Sequence, residues 1–529
     1  MTHKNKKILT YSLLFFIVAL GLFLRSYHID TLPPGIFPDE AMNGEDAYKA
    51  VDSGNYELFY PANEGREGLF INLIALCFKL FGISILTLKL PSIIFSTLTI
   101  LGMYLLTKEL FKKERMALVS AFLVTVSYWS INFGRISFRA NMLPFVLTFA
   151  FYFLFRGVRT KKWWDFALSG LIFGIGAHTY IAWRIAPLIL FFMLASFMLS
   201  RKNFLKEYWK NILVFFFTTT LIVLPMIYTL YTHPTFIHAP IDDISVFSPI
   251  TNKGNPIGTL LESISLSLIK YNLVGDQNWR HNYPPYPILD PLNGLAFAFG
   301  LIFICLKIPH FLYLWICKKI RQPRLEIYIF LVSWFLIMLA PEFLSFEGNP
   351  HSLRAIGTLP VVFIFGALTF EYFFSRAEKL HYFSRKAIYA ILILALVFIG
   401  VFNTVKYFYF LPRIPKAAEE FDKNLTDISR FIKTLPASKE KFIVNSFGPY
   451  HSPLDRLPIQ IFNLKSPNTT YSYSWQNFDQ IKPKTNDFII ILTGKDADTE
   501  DRLKVVFPDL TLQTINSSPG SVYYILKSK

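Results

Sequence analysis

Apolar residues in this chain come in long unbroken blocks, not at the three-and-four spacing of a half-buried helix. Blocks of this length match the roughly 20 residues that an α-helix needs to cross a bilayer. The pattern predicts about eleven spanning helices, near residues 8–25, 84–106, 116–133, 141–157, 164–180, 185–200, 211–231, 291–317, 325–341, 354–375 and 387–410. One more apolar stretch, Gly68–Phe81, is shorter and runs into Gly82. Beyond Phe410 the pattern changes. Leu411–Lys529 is much more polar, with strand-like runs at Phe442–Phe447, Asp487–Leu492 and Ser521–Leu526 and a helix-like run at Ile428–Leu435. The expectation is an α-helical polytopic membrane protein over residues 1–410, followed by a small α/β domain over 411–529.

Composition agrees. The chain has 529 residues, 53% hydrophobic and 17% charged, against about 25% charged in soluble domains. Its three cysteines, Cys77, Cys305 and Cys317, all lie in apolar stretches, which excludes a disulfide framework or a metal site built from them. The basic start, Met1 to Lys7, precedes an apolar run from Ile8 to Leu24. No small-x-small cleavage site follows, so the run reads as a retained first helix.

The net charge of +17 sits in short clusters between apolar blocks, which points to membrane topology instead of nucleic acid. Five loops carry four cations apiece if Gly68–Phe81 lies on the membrane surface and does not span. They are the loops around Lys112, Arg159, Lys206, Arg321 and Arg385. The loops opposite them hold only Arg135, Arg139, Arg184, Lys253, Lys270, Arg280 and Arg354. The positive-inside rule then puts the N-terminus in the cytoplasm. Residues 26–83, 232–290 and 411–529 fall outside, in an inner (plasma) membrane.

The first outer loop is acidic, with Asp30, Asp39, Glu40, Glu45, Asp46, Asp52, Glu57, Glu64 and Glu67. Most of these suit a solvated loop. Asp39-Glu40 differs in following the stiff lead-in Pro33-Pro34-Gly35-Ile36-Phe37-Pro38 and preceding a helical stretch, Ala41–Val51. An Asp there is either a helix N-cap or a carboxylate held to take a proton from an attacking hydroxyl. Cations on the outer side are scarce, which singles out Arg66, Arg135, Arg139, Arg184, Arg280 and Arg354, with His178, His281 and His351. They either snorkel to headgroups or bind an anion. His351 and Arg354, three positions apart at the expected start of a span, are expected to share a helical face, where helix amides also favour an anion. No Walker loop, dinucleotide fingerprint or His-Glu-x-x-His is present.

In order, these motifs resemble the GT-C membrane glycosyltransferases, in particular bacterial relatives of protein O-mannosyltransferases and of the lipid A aminoarabinose transferase. The resemblance rests on Pro38-Asp39-Glu40-Ala41, Gly65-Arg66-Glu67-Gly68-Leu69-Phe70, Lys79-Leu80-Phe81-Gly82, Leu110-Phe111-Lys112-Lys113 and Gly134-Arg135-Ile136-Ser137-Phe138-Arg139. It continues through His178-Thr179-Tyr180, Gly275-Asp276-Gln277-Asn278-Trp279-Arg280-His281-Asn282 and Pro350-His351-Ser352-Leu353-Arg354, covering residues 8–375. The resemblance implies a polyprenyl-phosphate sugar as donor and inverting transfer to an acceptor hydroxyl on a protein, lipid or cell-wall polymer. Asp39 would be the base and Glu40 or Glu67 a second carboxylate, with Arg66 helping to keep Asp39 ionised. The leaving phosphate would be met by Arg66, Arg135, Arg139, His178, Arg280, His281, His351 and Arg354. No cofactor is expected, although Asp39, Glu40 and Asp276 are of the type that holds a hard cation. Trp163-Trp164-Asp165 is similar to a motif of oligosaccharyltransferases but lacks the Tyr-Gly that completes it, and reads as an aromatic belt.

Two other readings remain open. A lipid or sugar transporter would use ionisable groups in its spans, of which Lys89, Lys307, Glu371 and Lys406 are the candidates. A receptor or assembly factor would use the C-terminal domain for binding.

The topology is directly testable. Reporters fused after Arg115, Lys210 and Arg324 are expected to signal cytoplasm, and those after Gly254 and Lys529 the outside. An outside signal at Arg115 would mean that Gly68–Phe81 spans the membrane.

Overall fold

The computed structural model describes residues 3–63, 65–235, 244–444, 456–464, 466–472, 481–495 and 499–528. Glu64 and residues 445–447 of the strand expected at Phe442–Phe447 lie outside that set. The chain divides into two compact units. One comprises residues 1–27, 56–70 and 91–407, and the other 28–55, 71–90 and 408–529.

Among the described residues, nine helices are long and apolar enough to cross a membrane. They include α1 (His3–Ser26) and, after α2 (Pro38–Ser53) and α3 (Gly68–Phe81), also α4 (Ile85–Phe111). The bent pair α5 (Glu114–Val126) and α6 (Tyr128–Gly134) makes a tenth crossing if counted as one. Helix α3 keeps the bounds expected from the sequence. Its 14 residues span about 21 Å, short of the ~30 Å hydrocarbon core. The segment expected at 164–180 differs, because its α-helix, Trp163–Ile175, has only 13 residues and passes into a 3-10 turn, Gly176–His178. A Cβ at Gly176 would collide with the Trp183 ring, so this turn packs tightly and the helix stops there.

The 60° bend between α5 and α6 organises the first unit. Ser127 is extended (φ −64°, ψ 132°), so the carbonyls of Val124 and Thr125 lose the amides that a continuous helix would offer. Arg25 of α1 takes their place. Its guanidinium donates to Thr125 O (3.3 Å) and Val124 O (3.4 Å), and also to Ser130 Oγ (2.7 Å) and Ser96 Oγ (2.6 Å). Arg135, just past α6, returns the arrangement by donating to Leu24 O (2.8 Å) and Tyr27 O (2.6 Å) at the end of α1. A cation on the last carbonyls of a helix is also favoured by its dipole. Deeper in this unit, Phe151, Phe330 and Trp334 pack ring to ring at 4.9–5.5 Å, with Trp334 Nε1 bonded to Gly357 O.

In the second unit five strands form one sheet. After the short pair β1 (Phe59–Tyr60) and β2 (Arg66–Glu67) of the first unit, they are β3 (Glu440–Val444), β4 (Thr469–Ser472), β5 (Phe488–Leu492), β6 (Leu510–Ser518) and β7 (Ser521–Ser528). Their order is β4-β3-β5-β7-β6, with β3 parallel to β4 and β5 and β7 antiparallel to β5 and β6. Side chains alternate between faces. Ile489 and Ile491 therefore meet Leu425, Ile428 and Ile432 of helix Lys423–Thr434, whereas Ile490 and Leu492 join Phe442 and Leu503 on the other face. Part of the acidic loop belongs to this unit. Ile36 N donates to Thr426 Oγ1 (2.9 Å), Arg430 donates to Asp30 O, and Gly35 lies so close to the Phe421 carbonyl that a Cβ would collide with it.

Replacing Arg25 by Met keeps the length of the side chain and strands two hydroxyls and two carbonyls in the interior. Arg25→Met is expected to lower stability by about 3 kcal/mol, read as a drop in the unfolding midpoint of purified protein in detergent. An unchanged midpoint would show that the bend does not need the guanidinium.

Candidate active site

The candidate site residues fall in both units. In the second unit, Pro38 opens α2, and the capping position is Phe37, whose side chain makes no cap. Asp39 is therefore in the first turn, one residue inside the helix, and is not the N-cap. A carboxylate there still faces the positive end of the helix dipole. Glu40 points inward, fully buried, with Lys89 Nζ 3.8 Å from its carboxylate and equally buried. Lys89, one of the ionisable groups of the spans, thus has a counter-ion.

In the first unit, β1 and β2 pair antiparallel, Phe59 with Glu67 and Tyr60 with Arg66. Both Arg66 and Glu67 are buried, and Arg66 Nε donates to Ala62 O at 3.1 Å. Glu67 accepts a hydrogen bond from Arg139 Nε at 2.7 Å, and the Arg139 guanidinium lies 5.8 Å from the centre of the Tyr180 ring. Burial raises the Tyr180 phenol above its ordinary value, Arg139 and Arg354 oppose this, and Glu67 reinforces it. Glu67, Arg139, Tyr180 and Arg354 therefore share one electrostatic neighbourhood.

A second cluster joins it through Arg354. Asp276 and His281 lie in the turn-rich segment after helix Pro256–Ile269, and His351 lies in the segment before helix Leu359–Ala377. Asp276 Oδ2 is 3.2 Å from His281 Nδ1 and accepts from Ser352 N at 2.6 Å, while Oδ1 accepts from Asn278 N at 2.9 Å. The His281 and His351 rings are 4.7 Å apart, and His281 stacks on Phe133 of α6 at 5.6 Å. Asn132 of α6 donates to Arg280 O at 2.7 Å, so the bent span carries this loop. Burial alone would raise the Asp276 carboxyl. His281, His351 and the Ser352 amide outweigh it and bring the carboxyl down to about 2. Burial, His281 and Arg354 hold His351 well below the ordinary imidazole value against the pull of Asp276. Donor atoms of Asp276, His281 and His351 all lie within 4.8 Å of one another, a spacing suited to a metal ion.

Other expected residues have different surroundings. The Arg135 guanidinium serves the end of α1. His178 Nε2 lies 2.8 Å from Ile222 O, a backbone contact that fixes its ring. Arg184 sits partly exposed in the 3-10 turn Ile181–Ile185. Arg280 is partly exposed, its amide bonded to Asn278 Oδ1. The shared helical face expected for His351 and Arg354 is corrected: His351 lies in irregular chain and Arg354 in a turn, and the α-helix starts only at Leu359. Arg354 donates to Glu347 O at 2.5 Å and lies 3.5 Å from the Glu347 carboxylate, which is largely exposed. Asp165 of the Trp-Trp-Asp triplet is buried against Thr160 and Arg156, with both tryptophans exposed. Sequence reasoning undervalued Asp276 as a site residue and named Tyr180 only as part of a motif.

Residues 69–228 match the family model of dolichyl-phosphate-mannose-protein mannosyltransferases. No curated protein matches the chain. Among solved structures, ArnT from Cupriavidus metallidurans bound to undecaprenyl phosphate is similar, with a TM-score of 0.55 and 11% identity over 99% of this chain and 98% of that one. Its apo form gives a TM-score of 0.52 at the same identity and coverage. The chain is an integral membrane protein with the GT-C fold of these structures, in agreement with the resemblance carried by the motifs.

The lowered Asp276 carboxyl has a measurable sign. A depressed carboxylate stabilises the fold fully above its ordinary value of 3.8 and loses that contribution as pH falls through about 2. Asp276→Asn is expected to cost about 2 kcal/mol near neutral pH, with the gap to wild type closing below pH ~4. Unfolding midpoints of both proteins across that range check it; a gap unchanged at low pH would contradict an ionised Asp276.

Proposed function

We propose that this protein is a glycosyltransferase that moves a single sugar from a polyprenyl-phosphate carrier to an acceptor hydroxyl on the extracytoplasmic face, with inversion. The observation that carries the reading is likeness over the full chain to a structure bound to undecaprenyl phosphate, joined to Arg139 held between Glu67 and the Tyr180 ring, with Arg354 in the same electrostatic neighbourhood. A departing lipid phosphate needs cations or fixed donors where its charge develops. Arg139 and Arg354 are the proposed partners, with Arg280, from the Gly275–Asn282 motif, as a third. Arg135 and His178 support the backbone in this reading.

Asp39 is the proposed base. It accepts the proton of the acceptor hydroxyl as that oxygen attacks the anomeric carbon, the bond to the carrier phosphate breaks, and the phosphate leaves with the electron pair. Inversion follows from a single displacement. Glu67 is the proposed second carboxylate, holding Arg139 in place. Glu40 is assigned to Lys89, and its removal acts on stability. A transporter is less well supported, because three of the four ionisable groups named in the spans have local partners. Glu371 is bonded to Lys113 and Arg115, Lys89 is beside Glu40, and Lys406 lies over the rings of Tyr128, Tyr283 and Tyr286.

Membranes containing the protein are expected to transfer label from a radiolabelled polyprenyl-phosphate sugar. Asp39→Asn should lower the rate by about 10²–10⁴-fold with donor binding retained; full activity would remove Asp39 from the role. A guanidinium grips phosphate in a two-pronged way that an ammonium does not copy. Arg354→Lys should therefore lose at least about tenfold in turnover, and Arg354→Ala more. Wild-type turnover by the lysine variant, at matched amounts of folded protein, would make Arg354 a headgroup anchor.

A further inference from the structure

We propose that Asp276, His281 and His351 form a metal site for a divalent transition ion of the zinc class, which clamps two loops of the first unit together. Two imidazoles and one carboxylate form a donor set suited to zinc, with a fourth position left for water. Two donors of a tetrahedral zinc, each about 2.0–2.1 Å from the ion, sit about 3.3 Å apart. His281 Nδ1 and Asp276 Oδ2 are 3.2 Å apart, and all three donors lie within 4.8 Å of one another.

The second observation is an unmet nitrogen. His351 Nδ1 is buried and has no hydrogen-bond partner among the described residues. A carboxylate–imidazole hydrogen bond would need only His281; it leaves a second imidazole, 4.7 Å away, without a purpose. Burying such a nitrogen without a partner is costly, and an ion between the two rings removes the cost. The surroundings also suit bound metal, where ligands are held by further hydrogen bonds. Asp276 accepts from Ser352 N and Asn278 N, and Asn282 Nδ2 donates to Asp276 O at 3.0 Å. Nearby charge does not forbid a cation. Lys270 is paired with Glu342, which also accepts from His351 N at 2.9 Å, and Arg354 faces the exposed Glu347 carboxylate at 3.5 Å. Asp276 is left as a net negative charge at the centre.

The ion would join the loop of residues 270–290 to that of 344–358. Each loop places an arginine beside a ligand: Arg280 precedes His281 and Arg354 follows His351 by three residues. The clamp would therefore fix the relative position of two cations without touching them.

The test is metal retention by the full chain, purified in detergent, incubated with micromolar zinc alone and desalted. One zinc per chain is expected by mass spectrometry, falling at least tenfold in both Asp276→Asn and His351→Gln. Cobalt in place of zinc should give the visible ligand-field bands of a four-coordinate nitrogen and oxygen site, and a chelator should lower the unfolding midpoint of wild type and of neither variant. Wild type that retains less than a tenth of an equivalent and shows no cobalt bands would overturn the proposal. So would variants that elute as folded protein and keep their zinc. If a variant fails to fold, the zinc content and cobalt spectrum of wild type still decide.

Discussion

The first unit depends on a guanidinium placed where a helix breaks. A helix bent in an apolar interior exposes carbonyls that lipid cannot satisfy, and each would cost a kilocalorie or more. Arg25 meets Val124 and Thr125 at the break, and Arg135 meets Leu24 and Tyr27 at the end of the helix that supplies Arg25. The two arginines lock α1 to the bent pair reciprocally. The candidate chemistry follows from that geometry. Asn132 and Phe133 of α6 hold Arg280 and His281, and the chain leaving α6 leads to Arg139, which donates to Glu67.

A membrane protein with few charges inside uses nearly all of them to hold itself together. Glu326 takes Arg201 in a two-pronged pair, Glu371 takes Lys113 and Arg115, and Glu342 takes Lys270. Burial makes such pairs unforgiving, since removing one partner leaves an uncompensated ion. Against that background Arg354 is different. Its counter-ion, Glu347, is largely exposed and therefore loosely held, which leaves the guanidinium available to a stronger anion.

Much of the architecture was legible because long apolar blocks and charge clusters report on the bilayer directly. Gly68–Phe81 kept its bounds, and strands form at the strand-like runs around Phe442, Phe488 and Ser521. The bend at Ser127 was not legible. It contains neither proline nor glycine, and the group that permits it lies about a hundred positions earlier in the chain. The His351–Arg354 pairing was misread for a local reason. Pro360 stands in the first turn of its helix, where proline is favoured, so the residues before it are a lead-in and share no helical face. The Asp276–His281–His351 cluster needed a fold to be seen at all. Two motifs, each readable alone, meet across 76 positions of sequence between Asp276 and Ser352.

The hydrogen bond from Ile36 to Thr426 has a consequence in time. It joins residues 390 positions apart, beside Gly35 packed on the Phe421 carbonyl. A ribosome adding 5–20 residues per second needs about 20–80 s to cover that interval. During that interval the Asp39 helix has been made, but its partners near Thr426 have not. The acidic segment that follows α1 is therefore among the last parts to acquire its native neighbours. A nascent chain with every membrane helix inserted would still be unfinished at this point, and the C-terminal residues decide when the carboxylates of α2 come to rest.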